Sequence, residues 1–80
     1  MKLPRDTGGR QLAKLLERYG YQVTWQTGSH LRLTTSRGGE HHITIPAHEA
    51  LRVGTLSAIL QEVAVHLNRD RTALIQELWG

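Results

Sequence analysis

Residues 21–46 read YQVTWQTGSHLRLTTSRGGEHHITIP, and this stretch decides the fold. Apolar and polar side chains alternate along three segments, as they do in β-strands that bury one face. Residues 27–29 form a short turn between the first two segments, a polar loop over residues 36–40 precedes the third, and Pro46 closes it. The stretch therefore predicts a three-stranded antiparallel meander.

Apolar side chains at helical spacing lie on both sides of this meander. A first helix is predicted over residues 9–19, with Gly20 placed to end it in a left-handed conformation. A second helix follows the meander and carries its apolar side chains on one face. Thr55 is a favourable N-cap for this second helix.

The C-terminal residues predict a further, short helix. It follows a break at Leu67-Asn68, and either Asn68 or Asp70 can cap its first turn. Its buried side chains are expected to be Leu74, Ile75 and Leu78. The order of elements is then α-β-β-β-α with an extra helix at the end, which is an α+β arrangement with the helices on one face of the sheet.

The two faces of the predicted sheet differ in composition. The face covered by the helices is apolar and consists of Val23, Trp25, Leu31, Leu33, Ile43 and Ile45. The exposed face consists of Gln22, Thr24, Gln26, His30, Arg32, Thr34, His42 and Thr44. This second face has no Lys or Glu, and short hydroxyl and amide groups surround its His and Arg side chains. Its composition favours a hydrogen-bonding surface for RNA or protein over a solvated face without a function.

The composition limits the class of protein. With 80 residues, 39% of them hydrophobic, the chain has enough apolar material for a single domain over residues 1–80 with a thin core. Cysteine is absent, which excludes disulfides, thiolate metal sites and a cysteine nucleophile. Residues 1–6 lack the apolar run of a signal peptide, and no segment is long enough to span a membrane. We therefore expect a soluble protein of the cytoplasm.

The net charge is +3, and eight of the ten basic residues are Arg. Arginine suits forked contacts with phosphate, but a charge excess of this size also occurs on ordinary basic surfaces. The charge alone is therefore compatible with nucleic-acid binding but does not predict it.

The turn between the first two strands contains the strongest candidate for chemistry, Gly28-Ser29-His30. Glycine can adopt a positive φ in a tight hairpin and lets a backbone N–H approach a phosphate. Ser29 adds a hydroxyl, and a histidine imidazole such as that of His30 can accept and donate a proton near neutral pH. Taken alone, three such residues are more often a polar turn than an active site.

A second acid/base group depends on the strand register. If the polar loop before the third strand is entirely unpaired, Thr34 faces His42. His30 then faces Pro46, and the imidazoles of His30 and His42 lie about 13 Å apart along the strands. His48, just after the third strand, is the nearer partner in that register, which we favour. A slip by two residues would instead bring His30 and His42 to a diagonal distance of about 7–8 Å.

The histidines do not form a metal-binding pattern. His41 and His42 are adjacent in a strand, so their side chains point to opposite faces and cannot easily hold one ion. Neither Cys nor a cluster of carboxylates is available to complete a site. We expect no metal and no other cofactor, and we expect His41, on the core side of a strand end, to have a hydrogen-bonded structural role.

A candidate phosphate contact lies at the start of the second helix. Arg52, Gly54 and Thr55 occupy this helix end, where free N–H groups and the helix dipole attract anions. Ordinary capping beside a solvated arginine explains the same residues equally well.

The order of these motifs resembles the HicA (YcfA-like) family of toxins from type II toxin–antitoxin systems. The resemblance covers roughly residues 8–65. It rests on Leu15-Leu16, Gly20-Tyr21, Gly28-Ser29-His30, Ile43-Thr44-Ile45-Pro46, His48 and Gly54-Thr55-Leu56-Ser57-Ala58-Ile59-Leu60. Many relatives have a second His where this chain has Leu31, a position that points into the core in our assignment of the faces.

The resemblance implies a fold like that of double-stranded-RNA-binding domains. It implies an mRNA interferase, which is an endoribonuclease that cuts mRNA independently of the ribosome. It also implies neutralisation by a HicB-type antitoxin, which we expect to cover the active face. The resemblance places the catalytic histidine at His30 and the turn glycine at Gly28.

We therefore expect cleavage of RNA by metal-independent transesterification. His30 would take the proton of a ribose 2′-OH, and His48 or water would protonate the leaving oxygen. The groups expected to bind RNA are Gly28, Ser29, Arg32, Arg52 and Thr55. Two other functions could use the same exposed face, namely a non-catalytic RNA-binding module and a protein-interaction domain.

Overall fold

The computed structural model describes residues 3–80; residues 1 and 2, at the start of the N-terminal stretch considered above, lie outside the described residues. The elements follow in the order α1 (Gly9–Leu15), a 3₁₀ turn (Leu16–Tyr19), β1 (Gln22–Gln26), β2 (His30–Thr35), β3 (His41–Pro46), α2 (Val53–Leu67) and α3 (Arg71–Trp79). The predicted α+β fold with the order α-β-β-β-α and a short additional helix is confirmed. This architecture is consistent with that of a double-stranded-RNA-binding domain.

The first helical segment is shorter than predicted as an α-helix, because its last turn tightens into a 3₁₀ turn. Gly20 ends it in the predicted left-handed conformation, with a φ of 83°, and its N–H donates to the carbonyl of Glu17 at 3.0 Å. The buried hydroxyl of Thr35 in β2 donates to the carbonyl of Tyr19 at 2.9 Å. The helix end is thereby bonded to the middle strand of the sheet.

The three strands form one antiparallel sheet in the order β1-β2-β3. In the pairing of β2 with β3, Thr34 lies opposite His42 and His30 lies opposite Pro46. The favoured register is therefore confirmed, and the register slipped by two residues is wrong. The polar loop before β3 is unpaired, and its two glycines, Gly38 and Gly39, both have positive φ.

The helix-covered face is apolar only along β2 and β3. The side chains of Leu31, Leu33, Ile43 and Ile45 are buried as predicted. The prediction for β1 is wrong, because Val23 remains 45% exposed and Trp25 59% exposed. α1 contacts β2 and β3, which leaves the edge strand β1 poorly covered.

A β-bulge moves Trp25 to the opposite face. The register shifts between Val23, which lies opposite Leu33, and Trp25, which lies opposite Arg32. The extra residue at the bulge reverses the alternation beyond it. Trp25 therefore lies on the exposed face, beside the polar side chains of β2.

The second helix begins earlier than predicted. Its N-cap is Arg52, whose carbonyl accepts the N–H of Leu56 at 2.9 Å, and Thr55 lies inside the first turn. The predicted capping role of Thr55 is therefore wrong. Leu51, the residue before the N-cap, is buried and donates its N–H to the carbonyl of Thr7 at 2.8 Å. This anchor fixes the chain immediately before the helix.

The last helix follows the prediction with one exception. Asn68 ends α2 with a φ of 54°, and the carboxylate of Asp70 caps α3 by accepting the N–H of Ala73 at 3.1 Å. Leu74 and Ile75 are buried in the core. Leu78, which we expected to be buried as well, is only partly buried and packs at the margin of the core.

Candidate functional site

The turn before β2 is held by a side chain that the sequence analysis did not single out. Thr27 Oγ1 accepts the backbone N–H groups of Ser29 at 3.2 Å and His30 at 3.1 Å. The carbonyl of Ser29 accepts the N–H of Ala47, just after β3, at 2.8 Å. The backbone at His30 is thus bonded to the start of the turn after β1 and to the residue after β3. A hydroxyl residue at the start of a Gly-Ser turn is a recognisable signal for this arrangement.

The side chain of His30 is exposed and oriented by its neighbour. A hydrogen bond of 3.0 Å joins Ser29 Oγ to His30 Nδ1. Because this bond occupies Nδ1, Nε2 is the nitrogen available to a ligand. Ser29 therefore orients the imidazole, in addition to the RNA contact that the sequence analysis assigned to it.

Gly28 does not have the backbone conformation that a tight hairpin turn suggested. Its φ is not positive, in contrast to those of Gly20, Gly38 and Gly39. A Cβ at Gly28 would meet no atom within 4 Å. The amides of Ser29 and His30 are already bonded to Thr27, and the phosphate contact expected of Gly28 stays a prediction. The space around Gly28 is open.

His30 lies where two open hollows meet. The first has a volume of about 600 Å³ and lies on the exposed face of the sheet; its lining consists of Thr24, Trp25, His30, Arg32, Thr34, His42 and Thr44. Six of these seven residues, all but Trp25, belong to the exposed face that the sequence predicted. Trp25 was assigned to the other face, since the alternation of apolar residues contains no sign of the bulge.

The far end of this first hollow is fixed by a chain of hydrogen bonds. Thr24 Oγ1 and Thr34 Oγ1 are 2.9 Å apart, and Thr34 Oγ1 is 2.7 Å from His42 Nδ1. His42 Nε2 is 2.9 Å from the carboxylate of Glu40. Both ring nitrogens of His42 are thus engaged. His42 is four strand positions from the partner of His30, about 13 Å along the sheet, which is too far for both imidazoles to act on one phosphate.

The second hollow, of about 700 Å³, lies between the sheet and the start of α2. Its lining consists of His30, Thr44, Pro46, Arg52, Gly54, Thr55, Ala58, Ile59 and Glu62. No side chain caps α2, so the N–H groups of residues 53–55 have no acceptor within the helix. His30, Arg52 and Thr55 therefore line one hollow, at a helix end that attracts anions.

His48 does not join this constellation. Its side chain is exposed in the loop after β3, it lines neither hollow, and its carbonyl accepts the N–H of Gly9 at 2.9 Å. In the second hollow, the ionisable groups that accompany His30 are the guanidinium of Arg52 and the carboxylate of Glu62. Sequence reasoning missed Glu62, because its approach to the sheet depends on the packing of α2.

His41 faces away from the site and has the hydrogen-bonded role that we expected. Its Nδ1 is 2.8 Å from Tyr21 Oη, and its ring stacks on His66 of α2 with centroids 4.3 Å apart. Burial lowers the pKa of His41, and the neighbouring charge of His66 lowers it further. Within residues 3–80, no group of three or more His, Asp or Glu side chains is arranged to hold a metal ion.

One model of a protein family matches the sequence of this chain. The family described as HicA toxin of bacterial toxin-antitoxin matches residues 9–65, which is more than half of the chain. The chain belongs to the HicA toxin family. Membership makes this HicA-family protein a toxin and implies an antitoxin as its partner. The matched residues include the whole sheet and both hollows, and they end before α3.

Neither the curated proteins nor the solved structures give a significant match to this HicA-family toxin. In the part of the chain from residue 3 onwards, none of the helices combines the length and the apolar character needed to cross a bilayer.

Proposed function

We propose that this toxin is an endoribonuclease that cleaves mRNA in the cytoplasm by metal-independent transesterification, with His30 as the general base. The observation that carries the proposal is the position of His30 between two open hollows, one containing Arg32 and the other Arg52. An RNA strand that runs from one hollow into the other would pass directly over the imidazole.

The reaction needs a single proton acceptor at the ribose. His30 Nε2 takes the proton of a 2′-OH, and the resulting O2′ attacks the adjacent phosphorus in line with the leaving oxygen. The P–O2′ bond forms as the P–O5′ bond breaks. The products are a 2′,3′-cyclic phosphate and an RNA fragment with a 5′-OH.

The leaving oxygen receives its proton from water in this scheme. Both hollows are open to solvent, and the alternative donor, His48, lines neither of them. One positioned histidine contributes roughly 10²- to 10⁴-fold to a rate. Cleavage is therefore slow, which is sufficient to arrest growth and insufficient to digest bulk RNA.

Groups on both sides of His30 hold the phosphates. Arg32 contacts them in the first hollow, while Arg52, Thr55 and the uncapped first turn of α2 contact them in the second. Ser29 keeps the imidazole oriented, and the open space around Gly28 leaves the turn accessible to the RNA backbone. The positive groups also stabilise the charge that develops on phosphorus.

The antitoxin partner, which we propose to be of the HicB type, covers this same face. An exposed face that contains a partly open active site offers polar and charged groups for such a complex. Covering it would block the access of RNA to His30 and so neutralise the toxin.

The test is cleavage of a defined mRNA by the wild-type protein and by His30→Ala, each with and without EDTA. We expect the wild type to produce fragments with 2′,3′-cyclic phosphate ends in EDTA, and His30→Ala to lose activity by at least 100-fold. His48→Ala is the matched control, and it should cut at the wild-type rate. Equal cutting by His30→Ala, or loss of wild-type activity in EDTA, would contradict the mechanism.

The same experiment separates the two other functions. A non-catalytic RNA-binding module would bind the mRNA without forming products, and His30→Ala would change its affinity alone. A protein-interaction domain would show no affinity for RNA at moderate salt. The junction of the two hollows at a histidine favours catalysis over both.

A further inference from the structure

Trp25 has no role in the mechanism above. Its indole is 59% exposed and lines the hollow that also contains His30 and Arg32. It is the aromatic member of the set of large exposed apolar side chains in residues 3–80, the others being Val23, Val53 and Val65. Exposing an indole to water is unfavourable, so an indole beside an active site suggests a binding partner.

The bulge in β1 is what brings Trp25 to this face. With regular pairing, the indole would lie on the helix-covered side with Val23. The register shift instead places Trp25 opposite Arg32, and bulges often occur next to active sites, where they re-aim a side chain. Such an arrangement presents an aromatic surface to whatever occupies the first hollow.

We propose that Trp25 is the platform on which a nucleobase of the substrate stacks, and that the toxin therefore acts on unpaired RNA. This inference rests on the proposed cleavage of RNA at His30. Arg32 and His30 are two positions apart on one face of β2, so the backbone positions of Trp25 and His30 are diagonal neighbours, about 7–8 Å apart. A base stacked there belongs to a nucleotide close to the cleaved bond.

The need for an unpaired base follows from the geometry of RNA. In an A-form duplex the bases are stacked on one another and the major groove is too narrow for side chains to read. An exposed indole on an open sheet face can stack only on a base that has left the duplex. Every base has a π-face, so stacking on Trp25 selects single strands without strongly selecting a sequence.

The surroundings of Trp25 favour RNA over a protein ligand. Hydroxyls of Thr24, Thr34 and Thr44, together with Arg32 and two imidazoles, line the hollow around the indole. Of these groups, Arg32 and Thr44 can donate to phosphate and ribose oxygens. Thr24, Thr34 and His42 form the hydrogen-bonded chain described above. An indole that anchors a protein partner is usually surrounded by a well-packed apolar pocket instead.

The first arm of the test measures binding of RNA oligonucleotides in which 2′-O-methyl groups prevent cleavage. Single-stranded RNA should quench the tryptophan fluorescence of the wild type. In Trp25→Phe, the remaining indole, Trp79 in α3, should report no quenching, while the affinity is largely kept by the phenyl ring. Trp25→Ala should weaken single-strand binding by about 10- to 100-fold and leave duplex binding unchanged. Val23→Ala, on the same strand but the other face, is the matched control and should bind as the wild type does.

The second arm measures cleavage. Trp25→Ala should raise the KM for an unpaired substrate with a smaller change in kcat, because the indole holds the base and transfers no proton. Circular dichroism and thermal melting establish that the variant is folded, which we expect since the indole makes little contact with the core.

The outcomes distinguish this inference from the cleavage mechanism. If Trp25→Ala binds single strands and cuts them as the wild type does, the stacking platform is wrong while cleavage stands. If His30→Ala cuts RNA at the wild-type rate, and single-stranded but not duplex RNA quenches the fluorescence of Trp25, the mechanism is wrong while the stacking platform stands. If Trp25→Ala loses affinity for the antitoxin and keeps its affinity for RNA, Trp25 is a protein anchor and the inference is overturned.

Discussion

Gly20 joins the first helical segment to the sheet in a conformation that other residues adopt only with strain. Its φ is 83°, and a Cβ there would lie 2.8 Å from Thr35 Oγ1. That hydroxyl is fixed, since it donates to the carbonyl of Tyr19 and accepts the N–H of Arg37 at 3.1 Å. Gly20→Ala is therefore expected to lower the free energy of unfolding by about 1–3 kcal/mol, measured by urea denaturation.

The matched control for this prediction is Gly28→Ala. Gly28 has no positive φ and open space around it, so the added methyl group should change stability by less than about 1 kcal/mol in either direction. If the two substitutions lowered the free energy of unfolding equally, the positive φ of Gly20 and its close approach to Thr35 would not be the cause of the destabilisation.

At the level of elements, the alternation in residues 21–46 was sufficient to predict three strands and to place His30 and Arg32 on the exposed face. A slip by two residues preserves this alternation, so the register of β2 with β3 was favoured only because it leaves the polar loop unpaired as a whole. β1 could not be predicted in the same way. Its bulge depends on pairing with β2, and the composition of residues 22–26 is compatible with either face for Trp25.

The start of α2 shows a second limit of the same kind. Thr55 has the chemistry of an N-cap, but burial of Leu51 and its bond to Thr7 fix the chain earlier and make Arg52 the cap. The position of His48 outside both hollows has a similar origin, since the loop after β3 is bonded to the residues before α1 through Gly9. Such long-range contacts have no local signal in the sequence.

The contact of β3 with α2 makes stability depend on pH. His41 lies between Tyr21 Oη and the ring of His66, and its pKa is lowered by burial and then by His66, with Glu62 opposing and His42 adding to the shift. The folded state thus binds fewer protons than the unfolded chain once the pH is below the ordinary histidine value of about 6.5. Stability that is fully present above that value should be lost as the pH falls towards the lowered pKa of His41.

His66→Gln tests this dependence. The amide can still donate to the carbonyl of Arg37, which lies 2.9 Å from His66 Nε2 in the wild type, but it carries no charge. Thermal melting between pH 7.5 and 5.0 should show a smaller loss of stability in His66→Gln than in the wild type, with part of the loss remaining because His41 is still buried. His48→Gln, in the exposed loop, should follow the wild-type curve. A wild-type melting temperature that rises on acidification would contradict the assignment.

At the scale of the whole molecule, the two faces of the sheet differ in what they contact. One face packs against the helices and forms the core. The side chains of β2 and β3 on the other face are not part of the core and line the first hollow. The net charge is only +3, which makes the placement of individual arginines more important than their number. Arg32 and Arg52 lie in adjoining hollows that share His30, whereas Arg10 lies with α1 beside Val23.

This placement predicts how salt affects the binding of RNA. Each arginine that contacts a phosphate of a single strand contributes about 0.7 to the slope of log K against log salt concentration. Arg32→Ala and Arg52→Ala should each reduce the slope by about that amount, and the double variant by about twice as much because the two contacts are made in separate hollows. Fluorescence anisotropy with an uncleavable oligonucleotide measures the slopes. Arg10→Ala removes the same charge from a different surface and should leave the slope unchanged, so an equal reduction in that variant would mean that RNA responds to the overall charge and is not held across the two hollows.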